Sequence, residues 1–228
     1  MKIMIPKIIH YCWFGKNPLP ENTRKYIETW KKFLPDYEIK EWNDDNYDVN
    51  KTLYTTQAYQ FDKYAFVSDY CRFDVLNQYG GIYFDTDVEL IKDPTPIIEQ
   101  GPFVACQCPE CPEIATGLGM ASYPDSDVLK DILKDYDNSS LTTELGALDL
   151  TTCVVRQTRM FKKWGFIPDN TKVQEIRGFK IYPTEYFCPK DPRGDKLTIT
   201  ENTYSIHHYD GSWKKSGITL FYLMDKDK

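Results

Sequence analysis

The sequence predicts one α/β domain over residues 1–228, with a Rossmann-like mixed central sheet flanked by helices. Three observations lead to this fold class. The chain opens with a β-α-β pattern, which is typical of doubly wound sheets. A second helix is followed by Gly80-Gly81 and a short apolar strand. The composition, 41% hydrophobic and 15% aromatic, supports one sizeable core, and we find no internal repeat, linker or low-complexity tract.

The opening unit comprises residues 3–42. Residues 3–13 are rich in Ile and aromatic side chains and predict a buried strand that ends in a loop at Gly15-Lys16-Asn17-Pro18. Asn22 or Thr23 can cap a helix that runs to about residue 34, with apolar side chains on one face. Residues 37–42 then alternate as a second strand.

A long helical pattern follows, over residues 55–78, and Gly80-Gly81 supplies its end. Residues 82–84 predict a short strand that leads directly into Asp85-Thr86-Asp87. Open α/β sheets place their sites at such carboxyl strand ends. Further helices are predicted over residues 127–135 and 152–163.

Charge and composition exclude several classes of partner. The formal net charge of −6 and a pI near 5.2 argue against general binding to nucleic acid or anionic membrane. The sequence contains no signal-like start and no apolar stretch of about 20 residues. We therefore expect a cytoplasmic protein.

The seven cysteines fit reduced thiols better than a disulfide framework, because their number is odd. Cys106, Cys108 and Cys111 form a C-x-C-x-x-C pattern. A zinc site there would need a fourth ligand, such as Cys71 or Cys188. The alternative is an ordinary loop with free thiols.

The acid pair Asp85 and Asp87 is the strongest chemical signal. The D-x-D pattern occurs four times in this acidic chain, but only here does it follow an apolar strand preceded by Gly-Gly. In an extended segment both carboxylates face one side, where they can share Mn²⁺ or Mg²⁺. Such an ion would bridge them to a diphosphate. The alternative is a strand that ends at a solvated turn.

Two other groups of residues have both a functional and a structural interpretation. Asp69 and Arg72 share a helix face, either as a sugar- and phosphate-binding pair or as an i,i+3 ion pair worth about 0.2–0.5 kcal/mol. The adjacent His207 and His208 offer a neutral imidazole to complete a metal shell, or are core residues. Trp13 either stacks on a nucleotide base or packs in the core.

Three segments carry a family resemblance: IPKIIHYCWFG at residues 5–15, the block from Ser68 to Asp87, and HYDGSW at residues 208–213. Together they resemble glycosyltransferase family 32, the DXD sugar-binding-region family of capsular-polysaccharide and fungal mannosyl transferases. They are more distantly similar to the glucosyltransferase domains of large clostridial toxins. The resemblance is thin between about residues 106 and 200.

The resemblance implies a GT-A fold that binds a nucleotide sugar. Its implied site has Asp85 and Asp87 at the ribose, metal and diphosphate, with Mn²⁺ or Mg²⁺ as cofactor and His208 as the third ligand. The other implied positions are Asp69 and Arg72 on the donor sugar, Tyr83 in the same pocket, Trp13 against the base, and Ser212 and Trp213 over the diphosphate. We add Asp149, in Gly146-Ala147-Leu148-Asp149-Leu150-Thr151, as an acceptor-side candidate.

The implied activity is transfer of a hexose, with retention of configuration, to a glycan or lipid-linked glycan in surface polysaccharide synthesis. A UDP-sugar is the preferred donor and GDP-mannose the second. A lipid-linked acceptor would place the enzyme at the inner membrane face. Two alternatives are a non-catalytic nucleotide-sugar-binding module and a D-x-D phosphatase, although the phosphatase expects Thr or Val where Glu89 stands.

Overall fold

A computed structural model describes residues 4–191 and 196–211. In chain order its elements are β1 (Ile8–Cys12), α1 (Glu21–Phe33), β2 (Glu38–Trp42), α2 (Leu53–Gln60), α3 (Tyr64–Tyr79), β3 (Gly81–Tyr83), β4 (Val88–Leu90), α4 (Thr95–Ile98), β5 (Phe103–Gln107), β6 (Glu113–Ile114), β7 (Met120–Ser122), α5 (Asp127–Asp137), α6 (Cys153–Lys163), β8 (Gln174–Ile176), β9 (Phe179–Tyr182), α7 (Thr184–Phe187) and β10 (Ser205–His207).

The main sheet is mixed, with strand order β2-β1-β3-β7-β5-β9-β8, and β6 pairs with β5. β1 is parallel to both β2 and β3, whereas β7 is antiparallel to its neighbours β3 and β5. β4 and β10 form a separate two-stranded antiparallel sheet. This confirms the predicted fold class of a mixed central sheet with flanking helices.

The core lies on both faces of the main sheet. One cluster packs α2, α3, α5 and α6 around residues such as Phe73 and Tyr136, and the other packs α1 and α7 around residues such as Trp30 and Phe187. β1 contributes to both clusters, because Ile9 and Cys12 face opposite sides of the pleat. Burial on both faces explains why β1 is almost continuously apolar.

The predicted helix over residues 55–78 is wrong in one respect: the structure divides it into α2 and α3. The break falls at residues 61–63, where Asp62 adopts a left-handed conformation with φ of 56°. Asp tolerates this region better than most residues, so the chain turns here without a glycine. Thr52 caps α2 through its hydroxyl, which accepts from the backbone N–H of Thr55.

Gly80 and Gly81 end α3 and begin β3 as predicted, with φ values of 65° and 101°. A side chain at Gly81 would also meet the carbonyl oxygen of Ile8 at 2.5 Å. Glycine is therefore required here for two reasons, its backbone conformation and the close approach of β1. This junction places the residues after β3 at the carboxyl edge of the sheet.

Candidate active site

Asp85 and Asp87 lie on the turn between β3 and β4. The backbone N–H of Asp85 donates to the carbonyl of Gly117 at 2.8 Å, and the N–H of Val88 closes the turn onto the carbonyl of Asp85 at 3.1 Å. The two carboxylates are neither fully exposed nor fully buried, at 31% and 17% side-chain exposure. They do not form the freely solvated strand end that was the alternative interpretation.

Arg72, in the middle of α3, connects that helix to this turn. Its Nη2 donates to Oδ1 of Asp69 at 2.9 Å and lies 3.3 Å from Oδ1 of Asp85. Its Nη1 donates to the hydroxyl of Thr116 at 3.2 Å, and its guanidinium lies over the ring of Tyr83. With 5% of its side chain exposed, Arg72 is buried, so this is not a solvated surface ion pair.

The surroundings of Asp85 stabilise its charged form. Burial alone raises its pKa, but the charges of Arg72 and His207 and the hydrogen bond from Tyr83 outweigh it and lower the pKa to about 2. The phenol of Tyr83 donates to Oδ1 of Asp85 at 3.0 Å. Asp85 is therefore a permanent anion at neutral pH.

Asp69 differs from Asp85, because burial has the largest effect on its pKa and is not outweighed. Burial raises the pKa of Asp69, although the charge of Arg72 and a hydrogen bond from the Cys153 thiol act against this shift. Cys153 is the first residue of α6 and is itself buried. Asp69 thus has a partner on each side, one from α3 and one from α6.

His207, the last residue of β10, completes a group of three candidate metal ligands. Within residues 4–191 and 196–211, Asp85, Asp87 and His207 are the only His, Cys, Asp or Glu side chains that form such a group, with ligand atoms within 4.8 Å of one another. Nε2 of His207 lies 3.0 Å from Oδ1 of Asp87 and 3.9 Å from Oδ2 of Asp85. Two carboxylates and an imidazole fit Mn²⁺ or Mg²⁺, which prefer hard oxygen donors and accept nitrogen.

The charge of the two acids acts directly on His207. Burial alone lowers the pKa of His207, but the nearby charges of Asp87 and Asp85 raise it to about 9. The pair therefore attracts positive charge to the point where the three side chains meet. Such a field is what a divalent cation site requires.

His208, which we expected as the third ligand, points elsewhere. Its Nε2 donates to Oε2 of Glu89 at 2.8 Å and its ring stacks on Tyr26 at 4.5 Å. The reason is strand parity: β10 pairs His207 with Val88, so consecutive side chains face opposite sides. In the described residues, the imidazole that faces the two acids is therefore that of His207, where we expected His208.

The remaining predicted residues lie around this centre or outside it. Trp13 follows β1 and is half-buried, with its indole N–H donating to the carbonyl of Asn17 at 2.6 Å. Asp149 lies 3.8 Å from Arg156, and hydrogen bonds from Thr151, with the charge of Arg156, lower its pKa despite partial burial. Ser212 and Trp213 lie outside the described residues.

The cysteines do not form the suggested zinc site. None of the seven is in a disulfide, and Cys111 is exposed while Cys106 and Cys108 are buried. The only ligand group in the described part of the chain contains no cysteine. The interpretation as ordinary thiols is therefore the one that the structure favours.

Sequence reasoning missed three contributors to the site. Gly117 lies so close that a methyl group there would be 2.5 Å from Cγ of Asp85. Thr116 accepts a hydrogen bond from Arg72, and Cys153 acts on the pKa of Asp69, both from segments in which the sequence has no recognisable motif. The Gly117-Leu118-Gly119 triplet was the one visible signal of a tight approach.

Comparisons with known proteins establish the family. The family described as "Glycosyltransferase sugar-binding region containing DXD motif" matches residues 20–104. An uncharacterized glycosyltransferase of Acanthamoeba polyphaga mimivirus is 33% identical over 227 residues, covering 92% of this chain and 84% of the relative. The chain therefore belongs to the DXD-containing glycosyltransferase family.

Other relatives match this chain over a smaller share of their own length. The inositol phosphoceramide mannosyltransferase 3 of Schizosaccharomyces pombe is 35% identical over 101 residues, which is 41% of this chain and 27% of that protein. The chain thus spans about a quarter of that enzyme. Among solved structures, PaToxG glycosyltransferase superposes with a TM-score of 0.44 at 23% identity, over 57% of this chain and 59% of that one.

A second solved structure, a glycosyltransferase involved in the glycosylation of the major capsid of PBCV-1, covers 90% of this chain and 95% of its own. Its TM-score is 0.47 and its identity 11%.

In the part of the chain that the structure describes, no helix combines the length and the apolar character that crossing a bilayer needs.

Proposed function

We propose that this glycosyltransferase is metal-dependent and transfers a hexose, with retention of configuration, from a nucleotide sugar to a glycan or lipid-linked glycan. A UDP-sugar is the preferred donor and GDP-mannose the second. The product belongs to surface polysaccharide, and the reaction takes place in the cytoplasm at the inner membrane face. The functional unit is a single domain over residues 1–228.

The observation that carries the proposal is the convergence of Asp85, Asp87 and His207 beside a buried arginine. Burying two acids at one point is unfavourable unless a cation shares the site. Arg72 neutralises one side of Asp85, and the other oxygen of that carboxylate remains directed toward Asp87 and His207. This asymmetry favours a function in binding a cation over a purely structural ion pair.

A divalent ion held by Asp85, Asp87 and His207 would stabilise the negative charge that develops on a departing diphosphate. The chain itself supplies the fixed geometry. Tyr83 and Arg72 hold Asp85 through Oδ1, so its second oxygen cannot rotate away from the ligand position. Preorganised groups of this kind require no rearrangement during the reaction.

Asp69 and Arg72 are proposed to bind the donor sugar. The side chain of Asp69, 9% exposed, retains acceptor capacity, because the guanidinium of Arg72 engages its Oδ1. A buried carboxylate that meets sugar hydroxyls would gain charge-assisted hydrogen bonds. The ring of Trp13 is proposed to stack on the base.

Retention of configuration constrains the mechanism. A double-displacement route needs a free carboxylate nucleophile about 5 Å from the acid. Here Asp85 and Asp87 are engaged with His207 and Asp69 with Arg72. We therefore favour front-face substitution, in which the acceptor attacks from the side of the leaving diphosphate, with Asp149 on the acceptor side.

The test is isothermal titration of UDP and of GDP, each with and without Mn²⁺. The wild type is compared with an Asp85→Ala/Asp87→Ala variant and with an Asp125→Ala/Asp127→Ala variant. The second pair is a matched control, since it has the same D-x-D spacing and both side chains are 85% exposed. We expect metal-dependent binding of one nucleotide, lost in the first variant and retained in the control.

Turnover separates an enzyme from a binding module. Slow hydrolysis of the bound UDP-sugar or GDP-mannose, with release of the sugar in its original anomeric form, would support a retaining transferase. Binding without any turnover, even with glycan acceptors, would contradict the catalytic part of the proposal. No binding of either nucleotide would contradict all of it.

A further inference from the structure

The turn that follows β1 has a demanding backbone. Residues 13–17, which we call the β1–α1 turn, begin with Trp13. Gly15 and Lys16 are both left-handed, with φ values of 93° and 59°. A non-glycine residue needs roughly 1–2 kcal/mol to adopt this conformation. The turn therefore needs interactions from elsewhere to hold it.

Asp44, from the segment between β2 and α2, provides those interactions. Its Oδ2 accepts hydrogen bonds from the backbone N–H groups of Gly15 at 2.9 Å and Lys16 at 3.3 Å. Its Oδ1 accepts a hydrogen bond from the phenol of Tyr59 in α2. Successive N–H groups in a left-handed turn form an anion-binding concavity, and here a carboxylate of the same chain fills it.

Aromatic side chains also pack against the β1–α1 turn. The ring of Tyr64 lies so close to Gly15 that a methyl group there would be 2.7 Å from Cδ2 of the ring. Tyr64 in turn packs edge-on against Tyr59, with ring centroids 5.5 Å apart. The turn is thus fixed between a carboxylate and an aromatic pair from the α2–α3 region.

Trp13 takes its orientation from this turn. Its backbone N–H donates to the carbonyl of Trp42 at 2.8 Å, and its indole N–H donates to the carbonyl of Asn17 at 2.6 Å. Because the indole N–H is bound within the turn, Trp13 has only its ring face to offer a ligand. A shift of Gly15 or Lys16 would move Asn17 and release the indole.

We infer that Asp44 is a positioning residue for the nucleotide base, acting through the β1–α1 turn on Trp13. The inference rests on the proposed function, in which Trp13 stacks on that base. Asp44 accepts hydrogen bonds from Gly15, Lys16 and Tyr59, and none of these residues belongs to the candidate metal-ligand group. Loss of Asp44 should therefore weaken nucleotide binding and leave the cation site and the chemical step intact.

The experiment measures three quantities for each variant: the Kd for UDP or GDP with Mn²⁺ present, the Kd for Mn²⁺ alone, and kcat and KM for the nucleotide sugar. For Asp44→Ala we expect at least a tenfold rise in nucleotide Kd and in donor KM, with kcat and the Mn²⁺ Kd within twofold of the wild type. Asp44→Asn keeps an acceptor oxygen in place and should recover most of the affinity. Asp45→Ala is the matched control, because it removes the same charge from an exposed neighbouring position.

Gly15→Ala perturbs the turn while Asp44 remains intact, so it protects the test against a poorly folded Asp44→Ala variant. The added methyl must displace Tyr64 or the turn, and nucleotide Kd should again rise by tenfold. Unchanged nucleotide affinity in either variant overturns the inference, as does an equal loss of Mn²⁺ affinity. Absence of nucleotide binding by the wild type overturns the proposed function as well, so the two failures are distinguishable.

Discussion

Gly117→Ala tests whether the position of the Asp85 carboxylate determines cation binding. A methyl carbon at residue 117 would overlap Oδ2 of Asp85, its nearest neighbour, and would lie 2.5 Å from Cγ of the same residue. Carbon atoms in contact stay about 3.5–4.0 Å apart, so the carboxyl carbon has to move by about 1–1.5 Å. The obstruction is the end of a side chain, so Asp85 can move without displacing the backbone.

The size of the effect follows from the contacts that hold Asp85. A shift of about 1–1.5 Å disrupts the 3.0 Å hydrogen bond from Tyr83 and the 3.3 Å ion pair with Arg72. Misplacement of this size at a catalytic centre can cost on the order of a hundredfold in rate. We expect Mn²⁺ affinity ten- to a hundredfold below that of the wild type, with kcat reduced by about a hundredfold.

The backbone at residue 117 adds no strain of its own, so any loss of stability should come from the contacts of Asp85 that the methyl group disrupts. Residue 117 does not lie in the left-handed region, unlike most glycines of the described chain, so an alanine there is not strained by its backbone. Replacing such a glycine stiffens the unfolded chain, an effect worth about 0.4–1 kcal/mol. Gly146→Ala provides a control, since its methyl would meet nothing within 4 Å.

The assay is calorimetric titration of Mn²⁺ alongside chemical unfolding of the wild type and both variants. Gly146→Ala should bind Mn²⁺ as the wild type does, despite some loss of stability from its φ of 77°. A Gly117→Ala protein with Mn²⁺ affinity within twofold of the wild type would refute the reasoning.

Three further predictions concern single residues. Burial lowers the pKa of His10 from 6.5 to about 4. The contribution of His10 to stability is therefore complete above pH 6.5 and is lost as the pH falls through 4, a loss of roughly 3 kcal/mol. Unfolding of the wild type and of His10→Gln between pH 7.5 and 4 should resolve this loss. His207→Ala should lower Mn²⁺ affinity at least tenfold, whereas His208→Ala should change it less than twofold by titration; the reverse order would restore His208 as the ligand. Cys153→Ser retains a hydrogen-bond donor to Asp69 and should keep the KM for the nucleotide sugar within about threefold of the wild type. Cys153→Ala should raise this KM by about tenfold in steady-state assays. Equal KM values for the two variants would show that the thiol does not orient Asp69.

The elements that lead to the acid pair were predictable, because the properties of a few neighbouring residues determine them. Gly80 and Gly81 need conformations that other residues disfavour, and the apolar strand after them must be buried. These two facts are enough to locate Asp85 and Asp87 at a sheet edge. The break at Asp62 was not predictable in the same way, since helical periodicity continues across it.

The identity of the imidazole depended on information that the sequence does not contain. His207 and His208 are adjacent and chemically equal, and only the register of β10 on β4 decides which one faces the acids. The same limit applies to Cys153, at the start of α6, which acts on the pKa of Asp69 in α3. Contacts between distant segments follow from packing, which composition and periodicity do not specify.

The pairing of β4 with β10 has a consequence for how the site forms during folding. It joins segments far apart in the chain: the backbone N–H of Asp210 donates to Oδ2 of Asp87 across 123 positions. Such non-local contacts close a large loop and form late, and a two-stranded ribbon of three-residue strands has little stability of its own. Any cation that joins His207 to the acid pair would therefore stabilise the docking of β10, the last segment to dock. Exchange of the Ser205 and Ile206 amide hydrogens with solvent should slow when Mn²⁺ is added.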